Sequence, residues 1–364
     1  MTRFFLAEKD SLRLLRFARS SPSLFLSPCP EGELVVEPYA SAELLELRRA
    51  LPPEMSGFDA ASPLCLTFFS RESRSQSKLI RPFVSLSALP PGAFLEVMGP
   101  WGRAGSRVYV ESPALALVRM AQVLLPAVRG GQLRRSAALV RLMGLAMEFC
   151  GTYARDPLDP LGGPCAYGVE PLADADSLRR FLLGASGIRG LRFAREASGY
   201  ALDGSASPAE TLLALAMSLP PRLGGAPLPG FAMNEPLELE GDATSLLHHR
   251  SMRPDFYWRE QRVALEYNGK VHDSEDGHEE DHFRRQDYAT CGIGVVEARS
   301  SDVRDTGALE RLIKLVALEL ERRGGDGPSL RKRIDASLQD PQARVARAQL
   351  VYELTRGRRH GEPG

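Results

Sequence analysis

The chain has 364 residues, of which 43% are hydrophobic and 25% are charged, so it is long enough for two or three globular domains. Its 46 basic residues balance its 46 acidic residues, which argues against binding of nucleic acid through a strong overall positive field. A nuclease stays possible, because carboxylates that bind a metal offset basic residues elsewhere.

Cysteine usage and hydropathy indicate a cytoplasmic protein. The five cysteines are scattered and form no CxxC pair, which argues against a disulfide framework or a cysteine zinc site. The first ten residues gain charge too early for a signal peptide. No run of eighteen apolar residues occurs, so no membrane span is predicted. The oligomeric state stays open.

The first segment, residues 1–105, is predicted to be a mixed α/β region of unknown role. Short apolar runs alternate with Pro, Ser and Gly, which is typical of strands and helices separated by turns. Helices are predicted at 12–18 and 42–51, and strands at 34–36 and 64–69.

The second segment, residues 106–205, is predicted to be a mostly helical connector or middle domain. A strand at 107–110 ends at Ser112-Pro113, a pair that is typical of a helix start. The predicted helices cover residues 114–125, 133–152, 177–183 and 188–198.

The third segment, residues 206–323, has a helix, then strands, then a helix, a strand and a helix. Ser207-Pro208-Ala209-Glu210 begins the first helix, and two β-prone runs follow at 255–258 and 262–268. Further elements are predicted at 237–239, 279–290 and 293–297, before an apolar stripe at helical spacing from Leu309 to Leu320. The last segment, 324–364, reads as a Gly- and Arg-rich tail that is solvated or flexible, with a possible short helix at 341–354.

Two carboxylates in the third segment suggest a metal site. Because side chains alternate along a strand, Glu266 and Asn268 share one face, and a hairpin brings Asp255 close to them. Converging carboxylates repel one another unless a cation lies between them, and Mg²⁺ takes such oxygen ligands while retaining water. The alternative is that Asp255 and Glu266 are ordinary solvated residues on a hairpin.

Five short motifs occur in a characteristic order over about 130 residues. They are Ser207-Pro208-Ala209-Glu210, Arg253-Pro254-Asp255, the run from Val263 to Gly269 with His272 after it, Asp281-His282-Phe283-Arg284, and the run from Gly292 to Val296. This order resembles the DUF559 group of PD-(D/E)xK nucleases, which are similar in core fold to the very-short-patch repair endonucleases.

The resemblance implies a restriction endonuclease-like αβββαβ core that hydrolyses DNA phosphodiester bonds with Mg²⁺ or Mn²⁺. It assigns Asp255 and Glu266 as primary metal ligands and Glu210 as a third acidic contributor. The N-terminal half would then recognise a target or partner. For Glu210 the alternative is a capping box, in which its side chain accepts a hydrogen bond from the Ser207 amide.

The remaining assignments are less specific. Asn268 departs from the family pattern, which has Asp at that position, and from the Lys of the wider superfamily, so catalytic competence is in question. Lys270 and His272 are candidates for handling charge or water, and a surface lysine and a loop histidine are the alternatives. Arg284 and its neighbour Arg285 are candidate nucleic-acid contacts, but Arg284 could instead pair with Asp281 one turn earlier.

Other functions and roles stay open at this point. A catalytically decayed nuclease fold that binds nucleic acid or regulates is the main alternative, and an interaction scaffold is a third. RNA is not excluded as a substrate. A zinc site formed by His272, His278 and His282 matches no standard spacing. Tyr257 and Trp258 are predicted to pack in the core rather than stack on bases.

Overall fold

The computed structural model describes residues 2–30, 34, 39–52, 62–74, 77–85, 87–99, 106–238, 244–269, 275–324 and 329–355, without the side chains of 244 and 275–281. The backbone of these residues forms two compact units. The first unit comprises residues 2–149 and 153–201, and the second comprises residues 150–152 and 202–355.

The first unit has a four-stranded sheet and two smaller sheets. The strand order is β1-β6-β5-β2, with β1 parallel to β6 and β5 antiparallel to both of its neighbours, and β3 pairs in parallel with β4. The element bounds are β1 Thr2–Phe5, α1 Glu8–Ser20, β2 Phe25–Pro28, α2 Ser41–Ala50, β3 Leu64–Phe68, β4 Ile80–Val84, β5 Phe94–Met98, β6 Ser106–Glu111, α3 Pro113–Arg129, α4 Arg135–Phe149, β7 Tyr153–Ala154, β8 Ala166–Tyr167, α5 Ala175–Gly184 and α6 Leu191–Ser198.

All six helices predicted in this half are present, with shifted ends. α1 and α3 are longer than predicted, and α3 continues through Pro126 to Arg129. The predicted strand at 34–36 lies mostly outside the described residues.

Aromatic packing and buried ion pairs stabilise the first unit. The Phe5 ring stacks on Tyr109 at 4.6 Å and meets the edge of Phe94 at 5.0 Å. Arg16 of α1 donates two hydrogen bonds of 2.8 Å to the buried Glu148 carboxylate of α4. Burial alone would raise the pKa of Glu148, but the Arg16 and Arg155 guanidinium groups hold it below its usual value. Removal of Glu148 would therefore leave the buried Arg16 and Arg155 guanidinium groups without their shared carboxylate.

The second unit contains a four-stranded sheet with the order β14-β13-β12-β9. β12 pairs antiparallel with both β9 and β13, whereas β14 lies parallel to β13. The element bounds are α7 Pro208–Ser218, β9 Ala232–Met233, β10 Leu237–Glu238, β11 Ser251–Met252, β12 Phe256–Trp258, β13 Val263–Asn268, α8 Glu275–Thr290, β14 Gly294–Arg299, α9 Thr306–Gly324, α10 Ser329–Gln339 and α11 Pro341–Thr355.

The central hairpin of this sheet is fixed by burial at its closed end. The β12 and β13 strands are joined by the turn 259–262, in which Arg262 adopts a positive φ of 52°. Trp258 is fully buried, and its indole nitrogen donates to the Pro229 carbonyl oxygen at 3.0 Å. Tyr257 is also buried, so the prediction that these two aromatic side chains pack in the core is confirmed.

The predicted apolar stripe from Leu309 to Leu320 is buried on α9, which packs against β13 and β14. Tyr257 and Ala264 belong to a second apolar cluster with Tyr288 of α8. The prediction of a solvated tail is wrong for Ser329–Gln339, which form α10 and bury Leu330, Ile334 and Leu338 at helical spacing. The short helix predicted at 341–354 is confirmed by α11.

The observed class is mixed α and β with several small sheets, as predicted from the sequence. None of the described helices is both long enough and apolar enough to cross a bilayer.

Candidate functional site

The candidate site lies at the open end of the β12–β13 hairpin. Phe256 pairs with Leu265, and continuing this antiparallel register by one residue places Asp255 opposite Glu266. Side chains opposite one another on antiparallel strands project from the same face. The Tyr267 amide donates to Asp255 Oδ2 at 2.5 Å, which fixes the Asp255 carboxylate beside β13.

Asp255 is costly to ionise in this position. Burial raises its pKa to about 7, and the Glu210 and Glu266 carboxylates contribute to the increase. The Tyr267 amide and Arg284 act in the opposite direction but do not offset it. The three acidic residues singled out in the sequence therefore interact electrostatically within the second unit.

Glu210 caps its own helix and also contacts the site. Its carboxylate accepts hydrogen bonds from the Ala206 amide (2.8 Å), the Ser207 hydroxyl (2.8 Å) and the Asn234 side-chain amide (2.6 Å). A capping arrangement is thus present, although the backbone donor is the Ala206 amide and not the predicted Ser207 amide. Burial raises the pKa of Glu210 although these three hydrogen bonds favour the charged form.

Asn234 connects Glu210 to the hairpin, a role that the sequence did not suggest. Its backbone N–H lies 3.1 Å from the Pro254 carbonyl oxygen and 3.2 Å from that of Asp255. Its φ of 51° falls in the left-handed region, which Asn tolerates better than most residues. An Asn followed by Glu-Pro in a loop was the only signal in the sequence, and it is common to many turns.

Glu266 is held by two side chains of α8. Arg284 donates to Glu266 Oε1 at 3.1 Å, and the Tyr288 hydroxyl donates to the same oxygen at 2.5 Å. Burial and the Glu266 carboxylate raise the pKa of Tyr288, so its hydroxyl stays protonated and can donate. Arg284 of α8 pairs with Glu266 of β13, whereas the side chain of Asp281, the alternative partner suggested by the sequence, lies outside the described residues.

The other predicted residues differ in how far they can be placed. Asn268 is exposed and lines a small cleft together with Glu266, so the expectation that they share a face is confirmed. Arg285 lines the same cleft and pairs with Glu297 at 2.7 Å. Lys270 and His272 lie outside the described residues.

Glu297 is a further acidic residue near the site that was not predicted from the sequence. The parallel register places Glu297 of β14 directly beside Glu266 of β13. Its position in an apolar strand, Gly294–Arg299, could have marked it, because an acidic residue among Val and Ala in a strand is unusual.

A buried carboxylate on α8 fixes the segment that precedes β11. Asp287 accepts hydrogen bonds from the amides of His248 (3.0 Å) and His249 (2.9 Å), and its Oδ2 lies 2.7 Å from His249 Nδ1. Burial opposes ionisation of Asp287, but these hydrogen bonds outweigh it and hold the pKa below its usual value. Asp287 therefore anchors this segment to the helix that carries Arg284 and Tyr288.

Comparison with known proteins adds no assignment. No protein-family model, no curated protein and no solved structure matches this chain. Within the described part of the chain, no group of three or more His, Cys, Asp or Glu side chains forms a site for a metal ion.

Proposed function

We propose that the chain is a metal-dependent endonuclease that hydrolyses DNA phosphodiester bonds with the site on the second unit. The observation that carries this proposal is the pair of carboxylates, Asp255 and Glu266, that face one another on adjacent antiparallel strands. Two carboxylates held together against their mutual repulsion are a common device for binding a divalent cation.

The order of elements supports a restriction endonuclease-like core. A helix (α7) is followed by three antiparallel strands (β9, β12 and β13), a helix (α8) and a strand parallel to the third (β14). This is the αβββαβ order that the resemblance to PD-(D/E)xK nucleases implies. In such a core the acidic residues at the second and third strands hold the metal; here Asp255 immediately precedes β12 and Glu266 lies in β13.

The donor set fits a Mg²⁺ ion that keeps much of its water. Mg²⁺ is usually bound through one or two carboxylates together with water and substrate phosphates, and not by a cage of protein ligands. Asp255 and Glu266 supply two carboxylates, and a cation between them would offset the burial and the carboxylate repulsion that together raise the pKa of Asp255. Mn²⁺ prefers similar oxygen ligands, so it would serve at the site in place of Mg²⁺.

Each side chain at the site has a proposed task. Asp255 and Glu266 would hold the ion, and Glu210 would add negative charge while Asn234 ties it to the hairpin. Tyr288 and Arg284 orient the Glu266 carboxylate, and Arg284 also places a positive charge where a phosphate would approach. A bound Mg²⁺ would polarise the scissile phosphate and lower the pKa of a coordinated water. Lys270 and His272 stay candidates for assisting that water, and Asn268 would support the ion through its side-chain carbonyl oxygen.

Two observations favour the alternative of a nucleic-acid-binding protein on a decayed nuclease core. Asn268 stands where the family has Asp, and an amide can neither carry charge nor transfer a proton. Arg284 already neutralises part of the Glu266 charge. Such a protein would bind DNA but would not cleave it.

Cleavage of supercoiled plasmid tests the proposal. We expect the native protein to nick plasmid with Mg²⁺ or Mn²⁺ and not with EDTA. Asp255→Asn and Glu266→Gln should each lower the rate by about 100-fold or more. Loss of a residue that only orients a metal ligand costs about 10–100-fold, and loss of a ligand itself should cost at least as much. Parallel reactions with single-stranded DNA and RNA define the substrate.

Glu260→Gln is the matched control, because Glu260 is an exposed acid in the turn of the same hairpin. It should nick as fast as the native protein. Equal nicking by Glu266→Gln would show that the activity comes from elsewhere and would refute the assignment. DNA binding by a native protein that never nicks would support the alternative.

A further inference from the structure

The first unit contains a cleft lined by arginines, which lies among α3, α4 and α6. Its lining includes Arg129, Arg135, Arg189 and Arg192, with Val128 and Phe193 as apolar neighbours. The volume is about 510 Å³, within the range of roughly 300–1,000 Å³ that is typical of ligand sites. We call it the arginine cleft.

The arginine cleft concentrates positive charge in a chain whose formal net charge is zero. The two stretches that form it, residues 125–135 and 186–195, contain six arginines and no Asp or Glu. Arg129, Arg189 and Arg192 are exposed, and among the described residues no carboxylate forms an ion pair with any of them. Exposed like charges that gather without partners raise the local potential and attract anions.

Two further arginines of these stretches, Arg135 and Arg195, stabilise the scaffold. Arg135 pairs with Glu196, and its guanidinium lies over the Phe193 ring, 5.2 Å from the centroid. Arg195 donates to the carbonyl oxygens of Leu182 (2.9 Å) and Ala185 (2.7 Å). These contacts hold α6 in place, so Arg129, Arg189 and Arg192 supply the accessible charge.

The backbone that carries Arg189 is fixed in advance of any ligand. Gly190 has a φ of 88°, and a Cβ there would lie 3.1 Å from backbone atoms of Val118 and Gln122, so only Gly allows this close approach to α3. Gln122 donates to the Arg189 carbonyl oxygen at 2.8 Å.

Gln122 is held in turn by a buried ion pair. Its side-chain oxygen accepts from Arg119 at 2.7 Å, and Arg119 also donates to the buried Glu111 carboxylate at 2.7 Å. This chain of contacts anchors the loop that bears Arg189 to β6 and α3. A loop fixed in this way loses little conformational entropy when it binds a ligand.

We propose that the arginine cleft binds the phosphate backbone of a nucleic-acid strand. Arginine presents a planar fork of N–H donors that matches phosphate oxygens, and every cation in the two stretches is arginine. A concave cleft among three helices suits a chain of phosphates better than a flat bilayer surface. The choice of nucleic acid over an acidic protein rests on the proposed function, because the substrate of a nuclease carries regularly spaced phosphates.

Binding in EDTA tests the arginine cleft separately from cleavage. The probe is a labelled single-stranded DNA of about 20 nucleotides, longer than the roughly 4–16 nucleotides that one binding module covers. A duplex of the same sequence is the second probe. The full chain is titrated by fluorescence anisotropy at several salt concentrations.

We expect Arg129→Ala/Arg192→Ala to weaken binding by about 10-fold or more and to lower the slope of log K against log salt by about 2, because each lost phosphate contact removes about one unit. Lys332→Ala/Arg333→Ala removes two exposed charges from α10 and is the matched control, which should leave both quantities unchanged. Unfolding midpoints of all variants show whether each one is folded.

The proposal would be overturned by an unchanged affinity and slope in the folded Arg129→Ala/Arg192→Ala variant, or by an equal loss of DNA affinity in the control variant. Tighter binding of polyglutamate or anionic phospholipid vesicles than of DNA would also overturn it, in favour of an acidic protein or a membrane. Nicking that depends on Glu266 together with normal binding by the cleft variant refutes the cleft alone. A native protein that never nicks while the cleft variant loses binding refutes the nuclease alone.

Discussion

Replacement of Asp255 by Asn measures how strongly the folded protein resists a charge at the candidate site. Asn keeps the size of the side chain, and its oxygen can still accept the hydrogen bond from the Tyr267 amide. The substitution removes the charge that burial and the neighbouring Glu210 and Glu266 carboxylates make unfavourable. In the absence of a divalent ion, we therefore expect the variant to be more stable than the native protein.

The magnitude follows from the shift in pKa. The pKa of Asp255 is about 7 in the folded protein and 3.8 in its ordinary state. The folded state therefore binds the proton more tightly, and ionisation of Asp255 lowers stability as the pH rises from about 4 to about 7. Each pKa unit corresponds to about 1.4 kcal/mol, so the ceiling at alkaline pH is about 4 kcal/mol. Relaxation and entry of water reduce this ceiling, and we expect about 1–3 kcal/mol.

The assay is thermal or urea unfolding of both proteins in EDTA at pH values below and above this window. The gain for Asp255→Asn should be small near pH 4 and should grow to its full value above about pH 8, since the stability curves diverge only where Asp255 ionises. For a domain of this size, a gain of 1 kcal/mol raises the midpoint by about 2–4 °C. Addition of Mg²⁺ should stabilise the native protein and not the variant, because an ion bound only to the folded state raises its stability.

The control is Glu260→Asn, which removes an exposed charge from the same hairpin. It should show neither the gain nor its pH dependence. If Asp255→Asn is no more stable than the native protein at alkaline pH, the Asp255 carboxylate is not under electrostatic strain. The structural argument for a cation beside it would then fail.

Three further changes test the surroundings of the site. Asp287→Asn should lower the free energy of unfolding by about 1–3 kcal/mol near neutral pH, because the backbone amides of His248 and His249 lose a charged acceptor. Since the pKa of Asp287 is depressed, this difference should vanish in urea titrations as the pH falls through that pKa. Gly204→Ala should cost about 1–3 kcal/mol in the same titrations, because φ is +85° and a Cβ would lie 2.5 Å from the Met233 carbonyl oxygen. A stability equal to the native value would contradict that contact. Tyr288→Phe removes the hydroxyl that orients Glu266, so it should raise the Mg²⁺ concentration needed for nicking by about 10-fold or more. The unfolding midpoint should change little. An unchanged Mg²⁺ requirement would mean that Tyr288 contributes only to packing.

Much of the second unit could be predicted because its signals are local. The capping motif at Ser207 fixed the start of α7, and the apolar stripe from Leu309 to Leu320 fixed the buried face of α9. Alternation along β13 correctly placed Glu266 and Asn268 on one face. Each of these features depends on residues within one or two turns or along one strand.

The parts that were missed depend on contacts distant in the sequence. Asn234 meets Glu210 across 24 residues and Tyr288 meets Glu266 across 22, and spacing alone does not reveal such pairs. The sequence offered the near residue Asp281 as an alternative partner for Arg284, because residues three apart are neighbours on a helix, whereas the contact of Arg284 with Glu266 spans 18 residues. Helix α10 was missed because Gly and Arg dominate the composition of the tail on either side of it, which hides its buried Leu330, Ile334 and Leu338.

Glu210 both caps α7 and binds Asn234 beside the candidate site, and these two roles affect how the chain could change under selection. Glu210 accepts three hydrogen bonds that begin α7 and bind Asn234, so a protein that had lost its chemistry would still keep this residue for the sake of the fold. Asp255 differs from Glu210 in this respect, because replacing its charge by a neutral group would make the metal-free fold more stable. In a lineage without selection for the proposed activity, we therefore expect Asp255 to be substituted early and Glu210 to be retained. Among descendants of this chain, the state of position 255 would report on retained activity, whereas the state of position 210 would not.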